Sequence, residues 1–287
     1  MVAFPGSGLG RQLFSYIASH NTIAALKLVY SMYKIPKGMR YSTLKERTEF
    51  YRTEFDLDKV GNWFEKREGK AVFAVIIGRH TRIFPEEYRE DASTTILIDE
   101  YQELRDVKKQ ILRFLPEAVY YDRNFYDEDG KILGQEIAFD LDPENLTCPV
   151  HGTLSEKMKR HQGLGFCKIE LNMVKRETVR LYSELENRFD EMRIVYSGRG
   201  FHIHVLDRDT MSWSYRRKKE LARELKKLGY LIDEWVTTGG MRLIRMPYSL
   251  HGMVSRIVLP LEPNEVLKFD PVRDARCIPR FVGSTSS

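Results

Sequence analysis

Cysteine is scarce, with three residues in a chain of 287. That argues against a disulfide scaffold and for a reducing compartment. Long apolar runs are missing too. No uninterrupted segment reaches the ~20 residues that span a bilayer. His20, Asn21 and Lys27 interrupt the N-terminal apolar stretch, which therefore lacks the pattern of a cleavable signal. There is no internal repeat and no low-complexity linker, and no Ser-His-Asp or Cys-His arrangement suggests nucleophilic catalysis. The expectation is a soluble cytoplasmic protein with no membrane partner.

What is present is ample apolar content for a real core and a moderately basic balance, a net charge of +5, compatible with a polyanionic partner. Met1 to Lys37 is a mildly apolar leader with helical spacing from Asn21 or Thr22 onward, ended by Pro36 and Gly38. Ser42 to Phe55 reads as an amphipathic helix with a capping hydroxyl at its start. Ala71 to Ile77 alternates as a strand, Asp99 to Leu115 has helical spacing stopped by Pro116, and Ala118 to Tyr121 is a brief strand. Leu146 to Cys167 reads as an irregular loop and Glu170 to Phe189 as a long helix. The strands Arg193 to Tyr196 and Phe201 to Leu206 follow, then a basic helix from Ser212 to Leu228 and a strand from Tyr230 to Val236. This order, with hairpin-like pairs rather than strict βαβ alternation, predicts an α+β fold.

The chemistry concentrates in four places. Ile137 to Phe139 runs into Asp140-Leu141-Asp142-Pro143. On a strand, positions i and i+2 share a face, so Asp140 and Asp142 stand together at its end, where two close carboxylates call for a cation. A pair of Mg²⁺ or Mn²⁺ ions suits such oxygen ligands. A third carboxylate, Asp233, completes a metal site of the polymerase kind if its strand end meets the first two. Ser197-Gly198-Arg199-Gly200-Phe201-His202-Ile203-His204 forms a glycine-bounded turn. It offers backbone amides, a hydroxyl and a forked cation to phosphate, with both histidines on one strand face. Arg245 and His251 lie in a basic stretch braced by apolar residues and could reach a triphosphate. Cys148-Pro149-Val150-His151 has the two-residue gap of a metal knuckle, and His161 and Cys167 supply two further ligands for a tetrahedral Zn²⁺.

The order of these motifs resembles the archaeo-eukaryotic primase superfamily, most of all the small catalytic subunit of DNA primase. The likeness runs from about Ser42 to Val282 and includes the helix around Leu44 to Tyr51 and the segment Lys66-Arg67-Glu68. It implies a distorted, RRM-like mixed sheet with flanking helices and a small zinc-binding loop at 146–168. The catalytic domain spans 41–282, after an N-terminal extension over 1–40 and before a loose tail at 283–287. It implies DNA-templated synthesis of short primers from NTPs or dNTPs by two-metal nucleotidyl transfer. Asp140, Asp142 and Asp233 would hold Mg²⁺ or Mn²⁺. Ser197, Arg199, His202, Arg245 and His251 would bind the triphosphate, with His204 a further candidate, and Cys148, His151, His161 and Cys167 would hold zinc. The implied partners are single-stranded DNA template and a primase large subunit, in the nucleoid. The segment Ser197 to His202 is shorter than the double-Arg version of many primases. The span from His202 to Asp233 leaves little room for the helical insertion of cellular small subunits, which points to a minimal primase-polymerase.

Rival readings are an end-joining repair polymerase of the same superfamily, against which the Cys/His loop weighs, and a non-catalytic zinc-containing nucleic-acid-binding module. A haloacid-dehalogenase-type phosphatase or a glycosyltransferase also uses Asp-x-Asp, but neither accounts for the Ser197 to His202 turn. The basic helix Arg216 to Lys227 and the loop Lys157 to His161 are candidates for contacts to the template backbone.

Overall fold

The structure is a computed structural model that describes residues 35–160, 164–233 and 240–283. The expected leader helix and His161 lie outside those residues, as does the tail beyond Gly283. Helix α1 (Leu44–Thr53) starts where the sequence places a cap. The Thr43 hydroxyl accepts the Glu46 amide, and the Glu46 carboxylate accepts the Thr43 amide in return. Helix α2 (Leu57–Phe64) is capped by Asp56. Then come β1 (Lys70–Ile76), β2 (Thr95–Ile98) and helix α3 (Leu104–Phe114), which ends at Leu115 before Pro116. Strand β3 (Ala118–Tyr126) runs five residues past the expected end at Tyr121. Asp122, Arg123 and Asn124 hide it from an apolar pattern, yet all three are buried and hydrogen-bonded.

Strands β4 (Ile132–Gln135) and β5 (Ile137–Leu141) lead to the Cys/His segment, where a short helix α4 (Leu154–Lys159), capped by Thr153, stands in what the sequence suggests is an irregular loop. Helix α5 (Lys168–Leu185), strands β6 (Met192–Tyr196) and β7 (Phe201–Val205) and helix α6 (Tyr215–Lys227) follow. Four short strands come next, β8 (Leu243–Arg245), β9 (Leu250–His251), β10 (Arg256–Ile257) and β11 (Leu259–Leu261), and a one-turn helix over Arg280–Gly283 ends the described chain.

The strands make two larger sheets, not one. The first has the order β2-β1-β3-β4, with β8 sharing the outer edge of β3; the second has the order β11-β6-β7-β5. Every ladder among the described residues is antiparallel, which corrects the expected mixed sheet. Of the expected strand over Tyr230 to Val236, residues 234–236 lie outside the described residues. Residues 230–233 carry no regular strand, and Asp233 joins β5 through its backbone amide to the Asp140 carbonyl, 3.1 Å. No helix of the described residues is long and apolar enough to cross a membrane.

Alternation on the second sheet decides where the chemistry goes. Ile137, Phe139 and Leu141 of β5 and Phe201, Ile203 and Val205 of β7 face a core completed by Leu171, Val174, Leu181 and Leu185 of α5 and Leu221 and Leu225 of α6. The opposite face carries Asp140 opposite His202 and Ala138 opposite His204. Each buried aliphatic or aromatic side chain contributes about 1.5–3 kcal/mol. A one-residue slip would send three of them out and drive Asp140 into apolar packing, so the register is strongly specified.

Candidate active site and metal centre

Asp140 and Asp142 leave the end of β5 on its polar face, and Asp233 is drawn to them by the backbone bond to Asp140. The Asp233 carboxylate is near enough to add to the raised pKa of both acids, although Asp233 is not among the residues that line the cavity described below. Burial raises the Asp140 carboxyl well above its ordinary pKa, and Asp142, Asp233 and Glu144 add to the rise. Asp142 is pushed up by burial as well, although Arg199 opposes the shift. Asp140 Oδ1 and Asp142 Oδ1 are buried without a hydrogen-bond partner. His202 Nε2 lies 3.5 Å from Asp140 Oδ1, too far to count as a good hydrogen bond.

The turn from Ser197 to Gly200 stands against this pair. The Ser197 amide donates to the Gly200 carbonyl at 3.0 Å and the Ser197 hydroxyl accepts the Gly200 amide at 3.1 Å. Gly198 has φ +107, and a Cβ there would lie 2.3 Å from the His251 ring. A Cβ at Gly200 would fall 2.2 Å from the Leu141 carbonyl and 2.3 Å from Asp142 Oδ1. Glycine at both places is thus what lets the turn close on the acids and on His251.

Arg199 is buried and its Nη2 donates to Glu144 at 2.5 Å. Burial works against its charge, but Glu144 and Asp142 outweigh that and raise its pKa. Arg245, on β8, lies over the Tyr120 ring at 4.8 Å and donates to the Tyr120 hydroxyl at 3.0 Å. His202 and His251 are held well below the ordinary imidazole pKa, chiefly by burial, so both rings are neutral at pH 7. Neutral rings can offer hydrogen bonds but no charge to a ligand. Arg199 Nε, Arg245 Nη1, His202 Nδ1 and His251 Nδ1 are buried with no hydrogen-bond partner. These residues, Ser197 and the acids Asp140 and Asp142 line one cavity of about 220 Å³.

His204 does not line it. Its Nδ1 meets Glu136, which also accepts from Arg67 at 2.7 and 2.9 Å and from the Tyr121 hydroxyl at 3.1 Å. Trp63 packs edge-on against the ring. The candidate triphosphate contact at His204 is corrected: the residue belongs to a buried network that ties the first sheet to the second beneath the cavity.

The Cys/His segment draws together Cys148, His151, Cys167 and Glu170, with one ligand atom from each within 4.8 Å of the others. Tetrahedral zinc with Zn–S near 2.3 Å and Zn–N near 2.0 Å requires S···S edges of about 3.8 Å and S···N edges of about 3.5 Å. Cys148 Sγ lies 3.9 Å from Cys167 Sγ and 3.4 Å from His151 Nδ1, so these three atoms fit such an ion. Among the described residues the fourth donor is Glu170, 3.9 Å from His151. Sequence reasoning missed it, although Cys167-x-x-Glu170 repeats the gap of Cys148-x-x-His151. Glu170 also pairs with Lys157 at 2.7 Å. Lys157 is buried by that bond, which withdraws it from the candidate template contacts. On α6 the basic side chains other than buried Lys218 stay exposed. Glu144, Tyr120, His80 and Glu117 also line the cavity. None of them carries a local sequence signal, because sheet pairing alone brings them there.

No family model matches the chain. It is 49% identical over 270 residues to an uncharacterized DNA primase small subunit-like protein of Archaeoglobus fulgidus, covering 88% of this chain and 95% of that one. The DNA primase small subunit PriS of Pyrococcus abyssi is 28% identical over 189 residues, 64% of this chain and 49% of that protein, so the chain matches about half of that relative's length. Among solved structures, the polymerase domain of Mycobacterium tuberculosis Ligase D in complex with DNA covers 67% of each chain at 18% identity and a TM-score of 0.43, too distant to bear on the site. With the first of these relatives matched nearly end to end, the chain belongs to the DNA primase small subunit-like family of the archaeo-eukaryotic primase superfamily.

Proposed function

We propose that this protein is a nucleotidyltransferase of the primase type that joins nucleoside triphosphates into short primers on a single-stranded DNA template. One observation carries the reading. Around a single cavity, unpartnered carboxylate oxygens of Asp140 and Asp142 face unpartnered nitrogens of Arg199, Arg245, His202 and His251. A ligand that brings both cations and a polyanion satisfies both sets, and a metal-bound nucleoside triphosphate is such a ligand.

Asp140, Asp142 and Asp233 would hold Mg²⁺ or Mn²⁺. When bound, such ions lower the pKa of an attacking 3′-hydroxyl and stabilise the pyrophosphate leaving group. Arg199 and Arg245 supply charge to the triphosphate oxygens, and the neutral rings of His202 and His251 supply hydrogen bonds. The Ser197 hydroxyl already accepts the Gly200 amide, so its own proton is left to donate to phosphate. Positioning and electrostatics do nearly all the work of phosphoryl transfer, so no nucleophilic side chain is required. Residues 41–282 act as the catalytic domain. Cys148, Cys167 and His151 would hold Zn²⁺, which would brace the segment that follows the catalytic strand, and the exposed basic face of α6 contacts the template backbone. A primase large subunit is the expected partner for initiation.

Incubation with single-stranded template, labelled ATP or dATP and Mn²⁺, with and without an annealed primer, tests this. Wild type should form product without primer, and Asp140→Ala should form none while still binding DNA. Product only with primer would favour an end-joining polymerase, and wild-type synthesis by Asp140→Ala would overturn the metal assignment.

A further inference from the structure

The connection from β1 to β2 carries Arg79-His80-Thr81-Arg82, and none of the motifs reaches it. It is held more firmly than a surface loop requires. The Arg47 guanidinium, fully buried, donates to the carbonyls of Ile77, Ile83 and Leu115 at 2.9–3.0 Å and to the hydroxyls of Ser42 and Thr81. Glu117, buried just before β3, accepts the Thr81 amide and hydroxyl at 2.8 Å and the His80 amide at 3.1 Å, and meets His80 Nδ1 at 2.7 Å. Burial opposes the charge of Glu117, but His80, Thr81 and Arg47 together hold its pKa down to about 2, so it is an anion.

The product of this bracing is one ring. The His80 side chain is about one-third exposed and lines the same cavity as Asp140, Arg199 and Arg245. It lies near enough to His251 to help depress that ring's pKa, after burial and the two arginines. With Nδ1 engaged by Glu117, Nε2 is the atom left to meet a ligand.

We propose that His80 is a further substrate-contacting residue that donates from Nε2 to a polyphosphate oxygen of the nucleoside triphosphate, with Glu117 as the positioning residue that aims it. This rests on the reading of the cavity as a nucleoside triphosphate site. The neighbouring cations Arg199 and Arg245 select an anion there, and among the parts of a nucleotide the polyphosphate is the anion. Nδ1 faces Glu117 and Nε2 would face the phosphate, so the ring bridges two anions.

Calorimetric binding of inorganic tripolyphosphate, ATP and dATP in the presence of Mn²⁺ tests the assignment on wild type, His80→Ala, His80→Gln and Glu117→Gln. A charge-assisted hydrogen bond lost from a partly buried site predicts about tenfold weaker binding of all three probes by His80→Ala. His80→Gln keeps an N–H donor of similar reach and should recover part of that loss, which a merely structural role would not produce. Glu117→Gln keeps the shape but weakens the hold on Nδ1, and should fall between wild type and His80→Ala. Unchanged affinity of His80→Ala for tripolyphosphate would overturn the inference, even if ATP binding falls, because the ring would then meet base or sugar. Wild type binding none of the three probes would sink the nucleotide reading itself, which keeps the two failures distinguishable.

Discussion

Replacing Asp140 by Asn should make the metal-free protein more stable while abolishing its response to divalent ions. Asp140 stands among Asp142, Asp233 and Glu144, one of its oxygens has no hydrogen-bond partner, and burial with these neighbours raises its pKa well above the ordinary value. A raised carboxyl pKa means that the folded state holds the proton longer than the unfolded chain. That contribution to stability is fully present below the unfolded value of 3.8 and is lost as pH rises through the folded value. At neutral pH a carboxyl at this position is therefore a liability. An amide of the same shape removes one of the mutually repelling charges, and relief of this kind at functional sites is worth about 0.5–2 kcal/mol. For a chain of this size that is roughly 1–8 °C in Tm. Mn²⁺ at a hundred times its Kd should stabilise wild type by about 2.7 kcal/mol, and Asp140→Asn by a small fraction of that. Thermal melts at pH 7.5 in EDTA and in Mn²⁺ measure both arms, and the EDTA gap should close near pH 4, where both proteins are neutral at this position. If Asp140→Asn melts below wild type in EDTA, or keeps the full Mn²⁺ shift, the three acids do not form a repelling, cation-seeking cluster.

Glu136 carries the opposite sign of effect. Its pKa is held down to about 2 because Arg67 and His204 outweigh its burial. Glu136→Gln, which leaves buried Arg67 without its anion, should cost about 3 kcal/mol in urea denaturation at pH 7. This difference should shrink as pH falls from about 4.5 toward 2, and a cost under about 0.5 kcal/mol at pH 7 would show that the network adds nothing net. Cys148→Ser should lower bound zinc, by elemental analysis, from about one ion per chain to a small fraction of that. Wild type purified without zinc would remove the metal centre.

Much of the site is legible in the chain because strand alternation is a local property. A period of two puts Asp140 on one face and Phe139 and Leu141 on the other whatever the rest of the protein does, and the glycines of Ser197 to Gly200 announce a turn that side chains would obstruct. The cap at Thr43 and the stop before Pro116 are local for the same reason. Where the pattern mixes polar residues into a buried strand, as at Asp122 to Asn124 on β3, the element outruns its apolar signature. Its polar groups are satisfied partly by one another and partly by residues distant in the chain, the Arg242 amide and the Gly240 carbonyl among them.

Sequence alone determined which groups exist and how they are phased: an acid pair at the end of a strand, a glycine-bounded turn, a Cys/His knuckle and the family they resemble. Tertiary structure decided which groups meet. The amide of Asp233 reaches the Asp140 carbonyl although no regular strand forms over residues 230–233. His204, two residues from His202, turns to Glu136, Glu170 joins the cysteines, and Glu117 aims His80 into the cavity. All but the third depend on contacts between segments distant in the chain and on the cost of burying an unpaired charge, and neither is written in the spacing of residues along the chain.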